Sequence, residues 1–349
     1  MIDLDPSSQP LLTFAEECNR GKVREENQDS VVHLSTALGE LLVVADGIGG
    51  LEGGATASRI VTETFCEHLL SLAPDYPAGA AIREASARAN ARILAAAADP
   101  ASPHNRMGST VVLALIQQPF EQPAQPDAPA TRAGTRVWIG HIGDSRAYLL
   151  RNGRLSRLTK DHSAVQDLID QNRLTPEEAG NHPDASVLTR SLGHLPHVDI
   201  DVDLVPLAPG DSLLLCSDGL WGFVPEQEIQ TVMADAHLPV EATAKTLLEM
   251  ALAAGGHDNI GIELARAGLL PAPLPETMPE PVEGPEPRGA RDFLKPDQPL
   301  DPIDPPDEQQ SLPAEKPRKL GFIGILLLCL LAGAAMGAIL YFVLHGDLI

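Results

Sequence analysis

Three apolar runs in this chain break on an aspartate flanked by glycine: "LLVVADGIGG" at 41–50, "VWIGHIGDSR" at 137–146 and "SLLLCSDGLW" at 212–221. Asp-Gly is a strong hairpin signal, so a turn accounts for any one of them. A turn does not account for the repetition, nor for a fourth aspartate, Asp258, which begins an apolar run in "GGHDNIGIEL". Strand ends at one edge of a sheet pair lie close together, so Asp46, Asp144, Asp218 and Asp258 could converge. Ionised carboxylates sharing a site need cations, or their pKa values rise. The stable partner is a hard divalent ion with oxygen ligands, Mg2+ or Mn2+, with water completing the octahedron. Glycine after Asp46 and after Asp218 lets a carbonyl and water approach with no Cβ in the way.

A fifth element is "GKVREENQDS" at 21–30. Asp29 adds another acid, and Arg24 supplies a planar cation suited to clamping a phosphate with two hydrogen bonds. An arginine beside a metal cluster makes chemical sense if both face a shared anion. Standing alone, Arg24 would be read as a surface partner of Glu25 or Glu26.

Period-two and short apolar runs predict strands near 11–16, 30–35, 41–45, 109–116, 136–142, 146–151, 212–216 and 260–264. Helical texture covers 54–72 and 76–98 and recurs near 163–171, 175–181, 225–235 and 240–254. Strands come in adjacent pairs with helix pairs between them, and βαβ alternation is missing. The class is therefore α+β with mainly antiparallel sheets. The segment 117–134 reads as a long disordered tip joining two strands. Aromatics make up 3% of a chain that is 44% apolar, so the core is aliphatic and alanine-rich.

The formal charge of −23 argues against a nucleic-acid partner, which would want a basic stripe, and suits a site that gathers cations. Cys18, Cys66, Cys216 and Cys329 are widely spaced, the usage of a reducing compartment. The polar, acidic start "MIDLDPSSQP" is no secretory signal. Residues 1–267 carry mixed globular texture, and 268–319 form an acidic proline-rich linker with twelve prolines between 271 and 310. Residues 320–344 hold no charge over twenty-five positions, long enough for a transmembrane helix, followed by a short tail at 345–349. Lys316, Arg318 and Lys319 precede it, so the positive-inside rule leaves the large domain in the cytoplasm. Gly333 and Gly337 have the spacing that lets two such helices approach as a dimer.

"GKVREENQD", "VVADGIGG", "GST" (108–110), "HIGDSRAYLL", "LTKDHS", "VLTRSLG", "LLLCSDGLW" and "GGHDNI" occur in the order seen in metal-dependent Ser/Thr protein phosphatases. The chain resembles the bacterial branch of the protein phosphatase 2C family over residues 10–266. The resemblance implies an α-β-β-α sandwich of two antiparallel sheets flanked by helix pairs, with a binuclear Mn2+ or Mg2+ centre. It implies that Asp46 bridges the two ions, with the Gly47 carbonyl on one, while Asp218 and Asp258 complete the other. Asp29 would hold metal-bound water from behind, Asp144 with Asp218 would bind a third, weaker ion, and Arg24 would bind phosphate. Residues 163–186 would form the mobile flap beside the site. The implied chemistry is direct attack of a metal-bridging hydroxide on phosphoserine or phosphothreonine of a protein, with no phosphoenzyme. Such an enzyme would oppose a Ser/Thr kinase at the bacterial inner membrane.

The chain departs from the family pattern in two places. Gln28 stands where many relatives have glutamate, and Ile48 and Gly49 stand where eukaryotic members carry a histidine proposed as general acid. His141 and His162 read as structural hydrogen-bonders, Arg190 as an ion-pair former ahead of a distant phosphate contact, and His257 as a neighbour of Asp258 rather than a ligand. Two other functions fit the same motifs: a catalytically weak scaffold that binds phosphoproteins, or a regulatory phosphatase in an anti-sigma-factor switch. Loss of a clustered aspartate would mark the first and a sensory domain ahead of the motifs the second.

Overall fold

Residues 41–45 are buried at every position, which a strand achieves only when both of its faces are covered. The computed structural model, which describes residues 12–49, 53–98, 107–117, 135–180 and 182–268, supplies both covers. In chain order its elements are β1 (Leu12–Asn19), β2 (Asp29–Thr36), β3 (Gly39–Gly49), α1 (Gly53–Leu70), α2 (Ala78–Ala97), β4 (Met107–Ser109), β5 (Val111–Gln117) and β6 (Thr135–Ile142). They continue as β7 (Arg146–Arg151), β8 (Arg154–Arg157), α3 (Ala164–Asp170), α4 (Pro176–Ala179), β9 (Asp201–Leu207), β10 (Ser212–Cys216), α5 (Asp218–Trp221), α6 (Glu226–Met233), α7 (Val240–Ala253) and β11 (Ile260–Ala267).

One sheet runs β1-β11-β10-β7-β8 and the other β2-β3-β5-β6-β9, with β4 paired to the end of β3. The ladders are antiparallel throughout the described residues. Alternation along β3 sends Leu41, Val43 and Ala45 toward Val61 and Phe65 of α1 and Ile82 of α2. Leu42 and Val44 point the other way, into a core shared with Leu213 and Leu215 of β10 and Ala265 of β11. A third core lies between the β1-β11-β10 sheet and α5 to α7, built from Leu214, Ile262, Leu247 and their neighbours. The result is four layers, helix–sheet–sheet–helix, as the sequence reading expects.

Several details differ from that reading. β3 does not end on its aspartate but carries Asp46 inside the strand and continues to Gly49. β10 stops at Cys216, so Asp218 opens the short helix α5 instead of closing the strand. The strands β4, β8 and β9 and the helix α5 were not anticipated. β9 is an edge strand that carries Pro206, a residue tolerated there because an edge has spare hydrogen-bonding groups. The tip at 118–134, most of the linker and the apolar run at 320–344 lie outside the described residues. Among the described residues no helix is long and apolar enough to cross a membrane.

One core residue is out of character. Glu263 of β11 is fully buried, and it shares the inter-sheet face with Ala265 and Ala267 by strand alternation. Burial, and then the facing Glu16 of β1, push its carboxyl up to about 9. A pKa raised on folding means that the folded chain holds a proton the unfolded chain has released. Stability from this group is full below the unfolded value of 4.5 and is lost as pH rises toward about 9. Glu263→Gln should therefore flatten the fall in urea-unfolding stability between about pH 5 and 9. An unchanged pH slope in that variant would show Glu263 is already ionised in the fold.

Candidate active site

The backbone pairing that builds the sheets also gathers the acids. Asp29 of β2 and Asp46 of β3 are direct cross-strand partners. β10 and β11 are neighbours, so Asp218, just past the end of one, and Asp258, just before the start of the other, lie at the same edge. Asp144 occupies the turn between β6 and β7, and Arg24 the loop between β1 and β2. Arg24, Asp46, Gly47, Asp144, Asp218 and Asp258 line one cavity of about 510 Å³. Asp29 stands behind that wall, buried, where the Ser217 hydroxyl donates to its Oδ2 at 2.6 Å.

Each acid is held by a local network. The Asp46 N–H donates to Thr110 Oγ1 at 3.1 Å, and its carbonyl accepts from the Thr110 N–H at 2.8 Å and from Ser109 Oγ at 3.0 Å. Thr110 Oγ1 also meets Ser145 Oγ at 2.8 Å, tying Asp46 to the turn that bears Asp144. The Gly47 N–H donates to the Gln28 carbonyl at 3.0 Å. Gly54, opening α1, packs on this segment so closely that a Cβ there would stand 2.7 Å from the Gly47 carbonyl oxygen. His162 clamps the Asp144 turn: its N–H donates to the Gly143 carbonyl at 2.8 Å, and its Nδ1 accepts the Gly143 N–H at 3.1 Å.

Crowding and burial raise these carboxyls. Burial lifts Asp29 to about 7 and Asp144 to about 6, with Asp258 adding to the first and Asp161 to the second. Asp46 and Asp218 rise well above the ordinary carboxylate range, first through burial and then through neighbouring aspartates. Arg24 donates from Nη2 to Asp258 Oδ2 at 2.7 Å, and that bond raises the guanidinium further. Its ion-pair partner Asp258 is a long-range one that the isolated motif does not offer. A ring of acids offset by one half-exposed arginine is under-neutralised, and Asp29 Oδ1 is buried without a hydrogen-bond partner. An all-oxygen donor set of this kind fits hard divalent cations.

Sequence reasoning passed over Asn259. Its Oδ1 accepts the Gln28 N–H at 2.8 Å, while Nδ2 donates to the Arg20 and Glu26 carbonyls at 2.9 Å each. One buried amide next to Asp258 thus pins the loop that carries Arg24. Its position between an apolar strand and a candidate ligand, in "GGHDNI", was the available signal. His141, His162 and Asp201 bring ligand atoms within 4.8 Å of one another, and hydrogen bonds within and around the group engage them. His141 Nε2 bonds the Lys160 carbonyl at 2.9 Å, His162 Nε2 bonds Asp201 at 3.1 Å, and Arg190 donates to Asp201 at 2.8 Å. His257 packs on the ring of Phe223.

Two antiparallel sheets between helix layers, with an acidic cavity at one edge, define the class of protein. Residues 20–253 match the family model for protein phosphatase 2C, and the chain belongs to that family. It is 37% identical over 259 residues to the serine/threonine protein phosphatase PstP of Mycobacterium tuberculosis, covering 73% of this chain and 45% of that protein. It is 32% identical over 257 residues to the serine/threonine phosphatase stp of Listeria welshimeri, covering 72% of this chain and 94% of that one. The chain thus spans about half the length of PstP and nearly all of stp. The crystal structure of PstP superimposes with a TM-score of 0.62 at 35% identity, over 74% of this chain and 99% of that one. A further structure, of the PstP catalytic domain in complex with two manganese ions, has a TM-score of 0.59 at 34% identity over the same shares.

Asn259→Ala should cost about 1–3 kcal/mol, because it removes three part-buried hydrogen bonds and leaves one N–H and two carbonyls without their partner. Urea unfolding measures the loss, and faster protease cleavage within residues 20–28 should accompany it. Stability equal to that of the unsubstituted chain would mean the loop is held by other contacts.

Proposed function

We propose that this chain is a metal-dependent phosphatase that removes phosphate from serine and threonine of proteins. The observation that carries the reading is the convergence of Asp46, Asp144, Asp218 and Asp258 with Arg24 on one cavity. Support comes from a family relative solved with two manganese ions. In this reading Asp46, the Gly47 carbonyl, Asp218 and Asp258 would hold a pair of Mn2+ or Mg2+ ions, and Asp144 with Asp218 would offer a third, weaker position. When bound, the ions supply Lewis acidity to the phosphoryl oxygens and lower the pKa of water.

The chain's own residues orient and neutralise. Thr110 and Ser109 fix the Asp46 backbone, so its carboxylate is presented from a strand whose two faces are locked in separate cores. Ser217 holds Asp29 Oδ2 and leaves Oδ1 buried without a hydrogen-bond partner. Arg24 is half exposed and bound to Asp258 by one arm, so it can present its fork to two oxygens of an incoming phosphoryl group. Such a site stabilises charge on the phosphoryl oxygens without a nucleophile from the chain.

With the full chain, p-nitrophenyl phosphate and phosphothreonine peptides should turn over only with added Mn2+ or Mg2+. Equal turnover in EDTA would overturn the metal reading. Asp218→Asn should lower turnover by about two orders of magnitude or more. Asp144→Ala should slow it while two stronger ion-binding events survive in calorimetry.

The same proposal extends to the rest of the chain. Residues 1–267 form the catalytic unit, 268–319 a tether, and 320–344 a single membrane span that leaves the catalytic unit in the cytoplasm, where phosphoproteins and a cognate kinase meet it. Its support is the uncharged run of twenty-five residues behind a basic flank. Gly333 and Gly337 would let two spans approach. Expressed in bacteria, the full chain should sediment with membranes and resist extraction by carbonate, and deletion of 320–349 should release it. Membrane association that persists after the deletion would remove the anchor from this account.

A further inference from the structure

A phosphoserine or phosphothreonine ester releases an alkoxide, which leaves poorly unless it takes up a proton as the P–O bond breaks. The cavity offers few donors. Under the phosphatase reading its aspartates hold cations, and Arg24 is kept charged by Asp258. Ile48 and Gly49 carry no ionisable group. His194 lines the same cavity. We propose that His194 is the general acid, delivering its Nε2 proton to the departing seryl or threonyl oxygen; the inference rests on the phosphatase reading above.

The geometry follows from three steps of backbone pairing. Gly47 pairs with Ser109 and Ile48 with Gly108. Ser109 and Leu192 then exchange both backbone hydrogen bonds, at 3.1 and 2.9 Å. The segment carrying His194 is therefore the next rung of the ladder that starts at Asp46 and Gly47. Its ring lies over Gly108: a Cβ there would stand 2.8 Å from Cε1 and 3.0 Å from Nδ1. Any larger residue at 108 would displace the ring from the wall beside Ile48.

Two buried side chains hold the ring in place. Asn90 of α2 accepts the Gly193 N–H at 2.8 Å and donates to the Leu195 carbonyl at 2.9 Å, gripping the backbone on either side of the histidine. Ser191 Oγ lies 2.5 Å from His194 Nδ1. The charged ring carries a proton on each nitrogen and keeps the one on Nδ1 when Nε2 gives up its own, so the Ser191 hydroxyl oxygen accepts from Nδ1–H before and after transfer. Among the described residues no hydrogen bond engages Nε2, and the residue is exposed, which lets solvent recharge it.

The step balances. The bond from phosphorus to the side-chain oxygen breaks as the bond to the attacking water oxygen forms. The Nε2 proton goes to the leaving oxygen, and the water's proton passes to solvent, from which His194 is reprotonated. The products are the free hydroxyl residue and inorganic phosphate.

Leaving-group dependence tests this. In the full chain with saturating Mn2+, His194→Ala should lower kcat on a phosphoserine peptide by about 100-fold or more. On p-nitrophenyl phosphate, whose nitrophenolate departs without a proton, the change should stay within about threefold. The alkaline limb of the peptide kcat–pH profile should vanish in the variant. His194→Gln, which keeps a hydrogen-bond donor but cannot transfer a proton, should behave like the alanine form. Equal losses on both substrates, no loss on either, or full peptide activity in His194→Gln would overturn the assignment. Loss of the phosphatase reading itself has a different signature: the unsubstituted chain would then fail to turn over p-nitrophenyl phosphate with Mn2+.

Discussion

Carboxylates repel, and this fold forces five of them toward one another. Asp46, Asp144, Asp218 and Asp258 share a cavity wall with Asp29 directly behind, and the raised carboxyls of Asp29, Asp46, Asp144 and Asp218 record the cost of burying charge there. A flexible scaffold would relieve that strain by moving the acids apart. Here each one is attached to a strand, a loop or the start of a helix that is held by packing and hydrogen bonds, so the repulsion remains available as a demand for cations. The local networks on Thr110, Ser217, His162 and Asn259 serve this single requirement.

The layer arrangement explains why the site can be that stiff. β3 carries Asp46 between two cores, with α1 and α2 on one side and the second sheet on the other. Rotation of the strand about its axis would unpack both. The link from Asp46 through Thr110 to Ser145 couples the first sheet's strand to the β6–β7 turn. The link from Asp29 to Ser217, and from Ser217 to the Gly261 N–H at 2.9 Å, couples the two sheets across their shared core. The site is in this sense one place where side chains hydrogen-bond the two sheets to each other.

The larger elements were legible because aliphatic runs and alanine-rich periodic stretches carry a strong signal over their whole length. β8 was missed although "RNGR" announces it: Asn152 and Gly153 have φ of 52° and 74°, the conformation of a tight hairpin turn. β9 was missed because Asp201, Asp203 and Pro206 interrupt its apolar pattern, and only its position at a sheet edge makes that composition workable. Within the site, Asp46, Asp144, Asp218 and Asp258 stood out because each borders an apolar run. Asn259, Ser217 and His194 did not, since an amide, a hydroxyl and a loop imidazole have no sequence period to violate.

The sequence alone determined the residue types and their order: oxygen donors beside apolar runs, an arginine ahead of them, and aliphatic stretches that had to be buried. Those follow from local chemistry and short-range pattern. Only the tertiary structure decided the partners. Arg24 meets Asp258 across 234 positions, Asn259 pins a loop 231 positions upstream, and the His194 ring rests on a glycine in a strand that pairs with β3. Such contacts depend on how two sheets are registered and stacked, and that is set by the sum of many core contacts rather than by any segment read on its own.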